Sequence, residues 1–359
     1  MTSIWGDVAI AFLLAFVTAF VLTPYTIKLA KRLGAVDSPD DERRVNNTVM
    51  PRLGGVAVIL GFVASVAYLL ITLTIENKID FLEDSYNIKL AGFFAGMTVI
   101  AFICFIDDVK GVPAIIKLFF QIVAAVIVVK TGTVIDAIRI GFLSDQVFSE
   151  FFSIVLTVGW IVGVTNAINL IDGLDGLSSG IGIISSISLV IIFALNGSPL
   201  ISILLITALA GSLVGFLPYN FNPAKTFIGD TGSNFLGYSL AVISIFGVAK
   251  TYTAFVIVAP LIVLALPVFD TLTSIVRRVI KGKSLKAIIQ PDSGHLHYKI
   301  LRKGYSQKQT VLMLYAISAS MGIFAIVLLE SGIWKALSFG LILIAVLSIG
   351  YKELFKKHE

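Results

Sequence analysis

The sequence predicts an all-α, polytopic integral membrane protein with about 11 transmembrane helices, the N-terminus outside and the C-terminus cytoplasmic. Three observations carry this reading. The chain is 57% hydrophobic and only 14% charged, with a mean hydropathy of +0.97, where soluble domains are roughly 25% charged. Its apolar residues come in long runs: Val8–Ile27, Leu53–Ile75, Phe151–Ile171, Thr231–Ala249, Thr251–Phe269 and Thr310–Leu329 each hold 19 or more residues without a charge. About 20 such residues span a bilayer as a helix. Finally, the basic residues are unevenly divided between the loops on the two sides of the membrane.

In chain order the spans are expected at 7–28, 53–75, 89–106, 113–130, 150–169, 176–195, 199–217, 231–248, 252–274, 309–329 and 333–351. The first run is too long for the apolar core of a signal peptide and lacks a small-residue cleavage site, so no cleavable leader is expected. The uncharged stretch Gly176–Ala224 holds two helices, divided by the turn Asn196-Gly197-Ser198-Pro199. Thr133–Gly141 alternates weakly and reads as a short external hairpin. With each Lys and Arg assigned to its nearer membrane face, 21 lie on the side of loops 29–52, 107–112 and 275–308, and 6 on the other. The positive-inside rule makes the first side cytoplasmic. The single Cys104 excludes an internal disulfide and reads as a lipid-facing or core residue.

The polar residues are organised around Asn166 to Leu177, N-A-I-N-L-I-D-G-L-D-G-L, which follows fifteen uncharged residues. Asn166, Asn169, Asp172 and Asp175 recur at steps of three. Each such step turns about 60° back around an α-helix, so a continuous helix would spread the four over half its surface. Gly173 and Gly176 weaken a helix and permit other backbone angles. The expected structure is a helix that leaves the membrane at Asn169 and breaks into a polar rim.

The other polar clusters fall on the same side. Asp107-Asp108 closes the third span. Adjacent carboxylates at a membrane edge repel and call for a cation or a proton, and a hard divalent ion with substrate phosphates would supply the cation. Asp230 stands between Gly229 and Gly232 at the start of the eighth span, where a helix N-terminus favours anions; it reads as a metal ligand beside a phosphate cradle, or as a cap. His295-Leu296-His297 lacks the partners of a zinc site and fits hydrogen bonding to phosphate. Arg43, Arg44 and Arg52 suit fork-like pairing with phosphate. Asp270, late in the ninth span, is a functional candidate because intramembrane acids are costly. Together these point to phosphate chemistry on a lipid partner. A secondary transporter would also explain many spans, but transporters hold their sites near the bilayer midplane, and here the polar motifs gather at one face.

With Asp37-Ser38-Pro39, Arg43-Arg44, Pro51-Arg52-Leu53-Gly54-Gly55, Asp107-Asp108, the central motif, Asn220 through Ser233 and His295-Leu296-His297 in place, the chain resembles the polyprenyl-phosphate N-acetylhexosamine-1-phosphate transferases over nearly its whole length. The His-x-His form, the Pro-Arg-Leu-Gly-Gly stretch and the short loop from Asp108 to Lys117 and Gln121 resemble the branch that uses UDP-N-acetylglucosamine. Lys110 is more like the phospho-N-acetylmuramoyl-pentapeptide transferase branch. The resemblance implies one domain, 1–359, with catalytic loops on the cytoplasmic face of a bacterial cytoplasmic membrane. The reaction implied is transfer of N-acetylglucosamine 1-phosphate from UDP-N-acetylglucosamine to undecaprenyl phosphate, with release of UMP. It further implies Mg2+, with Mn2+ as the alternative, held by Asp230 and Asp107, with Asp107 or Asp108 placing the lipid phosphate. Asn166, Asn169, Asp172, Asp175, Asn220 and Phe227 would form the nucleotide pocket, and His295, His297, Arg43, Arg44 and Lys110 would hold phosphates or sugar. Expected partners are a UDP-sugar, undecaprenyl phosphate and the lipid bilayer, with a homodimer admitted and no nucleic acid polymer.

The orientation is testable by labelling. In Cys104→Ala protein carrying Ser284→Cys, a membrane-impermeant thiol reagent is expected to leave intact cells unlabelled and to react after lysis; labelling from outside would invert the map.

Overall fold

The computed structural model describes residues 2–37, 49–76, 84–136, 146–248, 254–282 and 294–356, and they are almost entirely helical. Eight helices are long and apolar enough to cross a membrane: α1 (Thr2–Leu33), α2 (Gly54–Ile75), α3 (Asp84–Lys110), α5 (Gln146–Ile171), α6 (Leu177–Leu195), α7 (Leu200–Asn220), α8 (Gly229–Val248) and α12 (Gln307–Lys356). The chain is therefore an integral membrane protein of many spans.

Eleven spans were expected, and the difference lies in three places. The fourth is present as α4 (Ala114–Lys130), whose 17 residues stand at the lower end of the lengths that cross a bilayer. The ninth is divided into α9 (Ala254–Val263) and α10 (Ala265–Gly282). Pro267 has no N–H to offer the carbonyl of Val263, and its ring crowds that carbonyl, so the helix gives way just before it. The tenth and eleventh follow each other within α12, where Gly332, at φ 78° and ψ 174°, interrupts the helix at the break expected between them. No strand was expected beyond the proposed hairpin, yet Val36–Asp37 (β1) and Met50–Pro51 (β2) pair antiparallel at the root of the first polar loop. The described part of Thr133–Gly141 is not strand, and the rest of that segment lies outside the described residues.

α8 is the axis of the bundle. It is buried along nearly its whole length and packs against α2, α3, α5 and α7, while α1 lies on α2 and α7. Lipid is as apolar as a leucine face, so helices in a membrane associate through close packing and small residues rather than hydrophobic burial. α2 and α8 meet in this way at Gly55 and Gly232: a Cβ built on Gly55 would stand 2.2 Å from the Gly232 Cα and 2.6 Å from the Ile228 carbonyl. The contact is locked by backbone hydrogen bonds. Gly54 and Gly55 donate to the carbonyls of Phe227 and Ile228 at 3.0 and 2.8 Å, and Phe227 donates to Pro51 at 2.8 Å. The orphan amides at the start of α2 are thus satisfied by the strand of chain that leads into α8. α11 (Leu296–Leu301) packs its apolar residues Leu296, Ile300 and Leu301 with Ile171, Leu174 and Leu177 around the central motif.

Gly55→Ala forces a methyl group against backbone that cannot rotate away. A loss of about 1–3 kcal/mol, the usual cost of overpacking, is expected as a lower melting temperature in detergent; unchanged melting would show that α2 and α8 are free to separate.

Candidate active site

The site forms at one end of the bundle, where α3, α5 and α7 finish and α2, α4 and α8 begin. Successive residues on a helix point about 100° apart, so Asp107 and Asp108 leave α3 in different directions. Asp108, 5% exposed, turns to the first turn of α8. Its Oδ1 accepts the Asp230 N–H at 2.9 Å, and its Oδ2 accepts the Thr231 N–H at 2.9 Å and the Thr231 hydroxyl at 2.6 Å. The first amides of a helix have no partner within it, and the positive end of the helix dipole favours a carboxylate. Asp108 therefore caps α8 from another helix. Gly229 makes this approach possible: its φ is 70°, and a Cβ there would lie 1.9 Å from the Arg52 carbonyl and 2.8 Å from the Asp108 carboxylate.

Asp107 faces the other way. Its Oδ1 accepts the Val112 N–H at 2.6 Å and its Oδ2 meets Lys117 Nζ at 2.7 Å. The same ammonium pairs with Asp230 Oδ2, so Lys117, in the first turn of α4, ties α3 and α8 together. The Arg52 guanidinium lies 3.4 Å from Asp108, 3.8 Å from Asp230 and 3.6 Å from Asp37. Burial works against its charge, but Asp108, Asp230, Asp37 and Asp107 outweigh burial and raise its pKa. The cation that the paired carboxylates required is thus supplied by the chain itself, from Lys117 and Arg52.

Of the central motif, Asn169 joins this cluster directly: its amide donates to Asp230 Oδ1 at 3.2 Å and to Ser233 Oγ at 2.9 Å. Asn166, one turn earlier on α5, donates to Gln121 Oε1 at 2.6 Å; Gln121 donates to Asn234 Oδ1 at 2.8 Å, and Asn234 to the Asp230 carbonyl at 2.9 Å. Gln121 and Asn234 each lie four residues beyond Lys117 and Asp230. The amide bridge therefore repeats the ion pair one turn deeper and fixes the register of α4 on α8. Past the end of α5, Asp172 accepts the Ser178 hydroxyl at 2.6 Å. Its burial pushes the carboxyl up to about 7; the Ser178 bond offsets part of that, while Asp230 and Asp108 add to it.

Asp175 and Asn220 are buried and engaged with the loop before α8. Asp175 accepts from Asn222 at 3.0 Å and the Ala224 N–H at 3.1 Å. Asn220 accepts from Ser179 at 2.8 Å and donates to the Thr226 carbonyl at 3.0 Å. Phe227, half-buried, stands in that loop, two residues before Gly229. Lys110 is exposed at the end of α3, away from the carboxylate contacts. Arg43 and Arg44 lie outside the described residues.

His295 and His297 form a second group with Asp270. His295 Nδ1 is 2.8 Å from Asp270 Oδ2, and the Leu296 N–H donates to Asp270 Oδ1 at 2.8 Å. His297 is 1% exposed, and neither of its ring nitrogens meets a hydrogen-bond partner among the described residues. Burial, with His295 nearby, pulls its pKa down to about 4, so it is neutral at pH 7. A buried imidazole without partners is costly and marks a place where a group from outside the chain can be bound. His297 touches the central motif: a Cβ on Gly173 would stand 2.4 Å from its Nε2.

Lys117 and Gln121 are site residues that the sequence reading passed over as landmarks of a short loop, and Arg52 was read for phosphate rather than carboxylates. The available signal was a cation in the first turn of a helix whose other charge, Lys130, lies at its far end; by the rule for intramembrane charges it should have a named partner.

Among the described residues, no three His, Cys, Asp or Glu side chains gather as a ready-made metal cage. Magnesium seldom uses one; it takes one or two carboxylates and completes its shell with water and substrate phosphates. The donor set fits that pattern. Asp107 and Asp230 offer hard oxygens, and four carboxylates, Asp37 among them, facing two cations leave a net negative charge.

The two adjacent acids are expected to separate by stability. Asp108→Ala leaves buried α8 amides unpaired, at about 1–3 kcal/mol, and should lower the melting temperature. Asp107→Ala, which leaves Lys117 paired with Asp230, should not. Equal melting of both variants would remove Asp108 from the role of cap.

Residues 90–248, which hold Asp107, Asp108, the central motif and Asp230, match the family described as glycosyl transferase family 4. A probable undecaprenyl-phosphate N-acetylglucosaminyl 1-phosphate transferase of Bacillus subtilis (strain 168) is 37% identical over 95% of this chain and 90% of its own. The decaprenyl-phosphate N-acetylglucosaminephosphotransferase of Mycobacterium leprae (strain TN) is 33% identical over 86% and 80%. The phospho-N-acetylmuramoyl-pentapeptide-transferase of Staphylococcus aureus (strain MW2) is 30% identical over 88% and 97%. Matched nearly end to end by such relatives, the chain belongs to glycosyl transferase family 4 and is a membrane phosphoglycosyltransferase.

Proposed function

We propose that the protein transfers N-acetylglucosamine 1-phosphate from UDP-N-acetylglucosamine to undecaprenyl phosphate at the cytoplasmic face of a bacterial cytoplasmic membrane. The products are UMP and the lipid-diphosphate sugar that initiates a cell-envelope glycan. The observation that carries this reading is the Lys117 bridge between Asp107 and Asp230 with Arg52 beside it. It is an array of fixed charges at one end of a membrane bundle, suited to a diphosphate, in a chain 37% identical to the Bacillus subtilis relative.

In the proposed reaction a lipid phosphate oxygen attacks the sugar-side phosphorus of the donor. The new bond joins lipid and sugar phosphates, and the bond to UMP breaks, its electrons leaving on the UMP oxygen. Phosphoryl transfer asks a protein for positioning and charge placement more than for covalent chemistry. Asp230 and Asp107 would hold Mg2+, which when bound supplies positive charge to the diphosphate. Arg52 and Lys117 add two more charges, held ready by carboxylates before substrate arrives. His295 and His297 would hold phosphate or sugar, and Phe227 would stack on the uracil. Asp107 has both oxygens engaged by Val112 and Lys117, which supports a positioning role over attack on phosphorus. A second pKa of about 6 leaves a phosphomonoester largely deprotonated at pH 7 without a base.

Exchange of labelled UMP into each donor, in membranes carrying the protein, tests the reading. UDP-N-acetylglucosamine is expected to exchange with added magnesium and to fail with a chelator, and UDP-N-acetylmuramoyl-pentapeptide not to exchange. Preference for the pentapeptide donor would assign the chain the activity named for its Staphylococcus aureus relative.

The role of Asp107 shows in its pH dependence. kcat/KM for Asp107→Asn is expected to lie below wild type by a factor that stays constant from pH 7 to 9. Recovery toward wild type as pH rises would make Asp107 a general base, a contribution of about 10²–10⁴-fold.

A further inference from the structure

Asp270 lies outside the carboxylate cluster, and nothing in the proposed reaction uses it. It sits in α10, a helix with an unusual distribution of side chains. Phe269, Leu272, Val276 and Ile280 make an exposed apolar stripe, while Thr271 and Ser274 are buried with Asp270 on the opposite side. That polar side faces the 294–301 segment. The Asp270 side chain is 7% exposed and that of His295 is 4% exposed. Both carboxylate oxygens are committed there: one to His295 Nδ1 at 2.8 Å, the other to the Leu296 N–H at 2.8 Å. Ser274 Oγ lies 3.4 Å from the same ring nitrogen and receives a hydrogen bond from Arg277 at 2.9 Å. A buried carboxylate against an imidazole, with its second oxygen tied to backbone, holds a ring in one orientation and one tautomer.

We infer that Asp270 is a positioning residue for His295: it keeps the ring proton on Nδ1, so that Nε2 is the nitrogen presented to substrate. The inference rests on the reading of His295 as a substrate-contacting group. An ionised carboxylate accepts from Nδ1–H whether the ring is neutral or charged. Nε2 can therefore offer a lone pair to a sugar hydroxyl, or an N–H to a phosphate oxygen, without disturbing the Asp270 contact. The covalent link of His295 to Leu296 and His297 carries the effect to the central motif, because His297 rests on Gly173.

Asp270→Asn separates positioning from support. The amide has one oxygen for two donors. The Leu296 N–H cannot move its proton, so that oxygen stays with Leu296 and the NH2 turns to Nδ1. The ring then relieves the clash of donors by shifting its proton to Nε2, and charging it would restore the clash. The fold keeps its backbone tie while the tautomer reverses.

The full-length protein has three histidines, few enough for histidine-selective nitrogen NMR in detergent. Wild type and Asp270→Glu are expected to carry the His295 proton on Nδ1, and Asp270→Asn on Nε2. kcat/KM of Asp270→Asn should fall by about 10–100-fold, the usual effect of losing a residue that orients a functional histidine, at an unchanged melting temperature. A purely structural Asp270 gives the opposite pattern, with Asp270→Asn near wild type in tautomer and rate. If His295→Ala is inactive and Asp270→Asn is fully active, the inference fails and the phosphate-holding reading of His295 stands. If His295→Ala is itself fully active, that reading fails and the inference with it.

Discussion

The start of α8 is the constraint on which the site depends. A helix whose first turn is buried among neighbouring helices presents amides that its own turns cannot satisfy, and each left unpaired is costly. The chain meets that demand with Asp108, which reaches across from α3 to the N–H groups of Asp230 and Thr231. Once Asp108 is held there, the geometry of α3 sends Asp107 toward α4, where Lys117 joins it to Asp230. One structural capping interaction thereby places Asp107, Asp108 and Asp230 relative to each other.

Charge balance explains why these groups tolerate one another. Four carboxylates around two cations would be unstable if any stood alone in a low dielectric. Here each anion has a cation or a set of N–H donors, and each cation has two or more anions. The amide bridge Asn166–Gln121–Asn234 holds the helices that carry them without adding charge. Such an array costs little reorganisation when a charged substrate arrives, the condition under which electrostatic stabilisation is most effective.

The broken ninth span gives the second half of the site its place. α10, which begins two residues before Pro267, lays its polar side on the 294–301 segment and keeps an apolar stripe exposed. The two histidines then lie against the central loop, stacked with ring centroids 5.7 Å apart. His297 is buried there without a hydrogen-bond partner and is neutral, while Asp172, on the same loop, titrates near neutral pH. A neutral imidazole and a carboxyl on the edge of ionisation, next to a cluster of fixed charges, are unlike the solvated loop that Asp-Gly pairs usually mark.

Much of this was legible in the sequence, for a physical reason: hydropathy, charge partition and turn residues are local or additive properties. Long uncharged runs dictated membrane helices because no other structure satisfies the backbone in lipid. Asp-Gly-x-Asp-Gly ended α5 at Ile171 because glycine cannot hold a helix there against the polar residues. The resemblance likewise gathered Asp107, Asp230 and Asn169 into one site. What the tertiary structure decided was which partner each polar atom takes. Composition could not reveal that Asp108 caps a helix 122 residues away, that Lys117 is the cation between two acids, or that Asp175 and Asn220 clamp a loop. Nor could it reveal that the ninth span is divided. Those outcomes depend on how helices approach and on which buried donors then need acceptors, and such pairings exist only once the chain is folded.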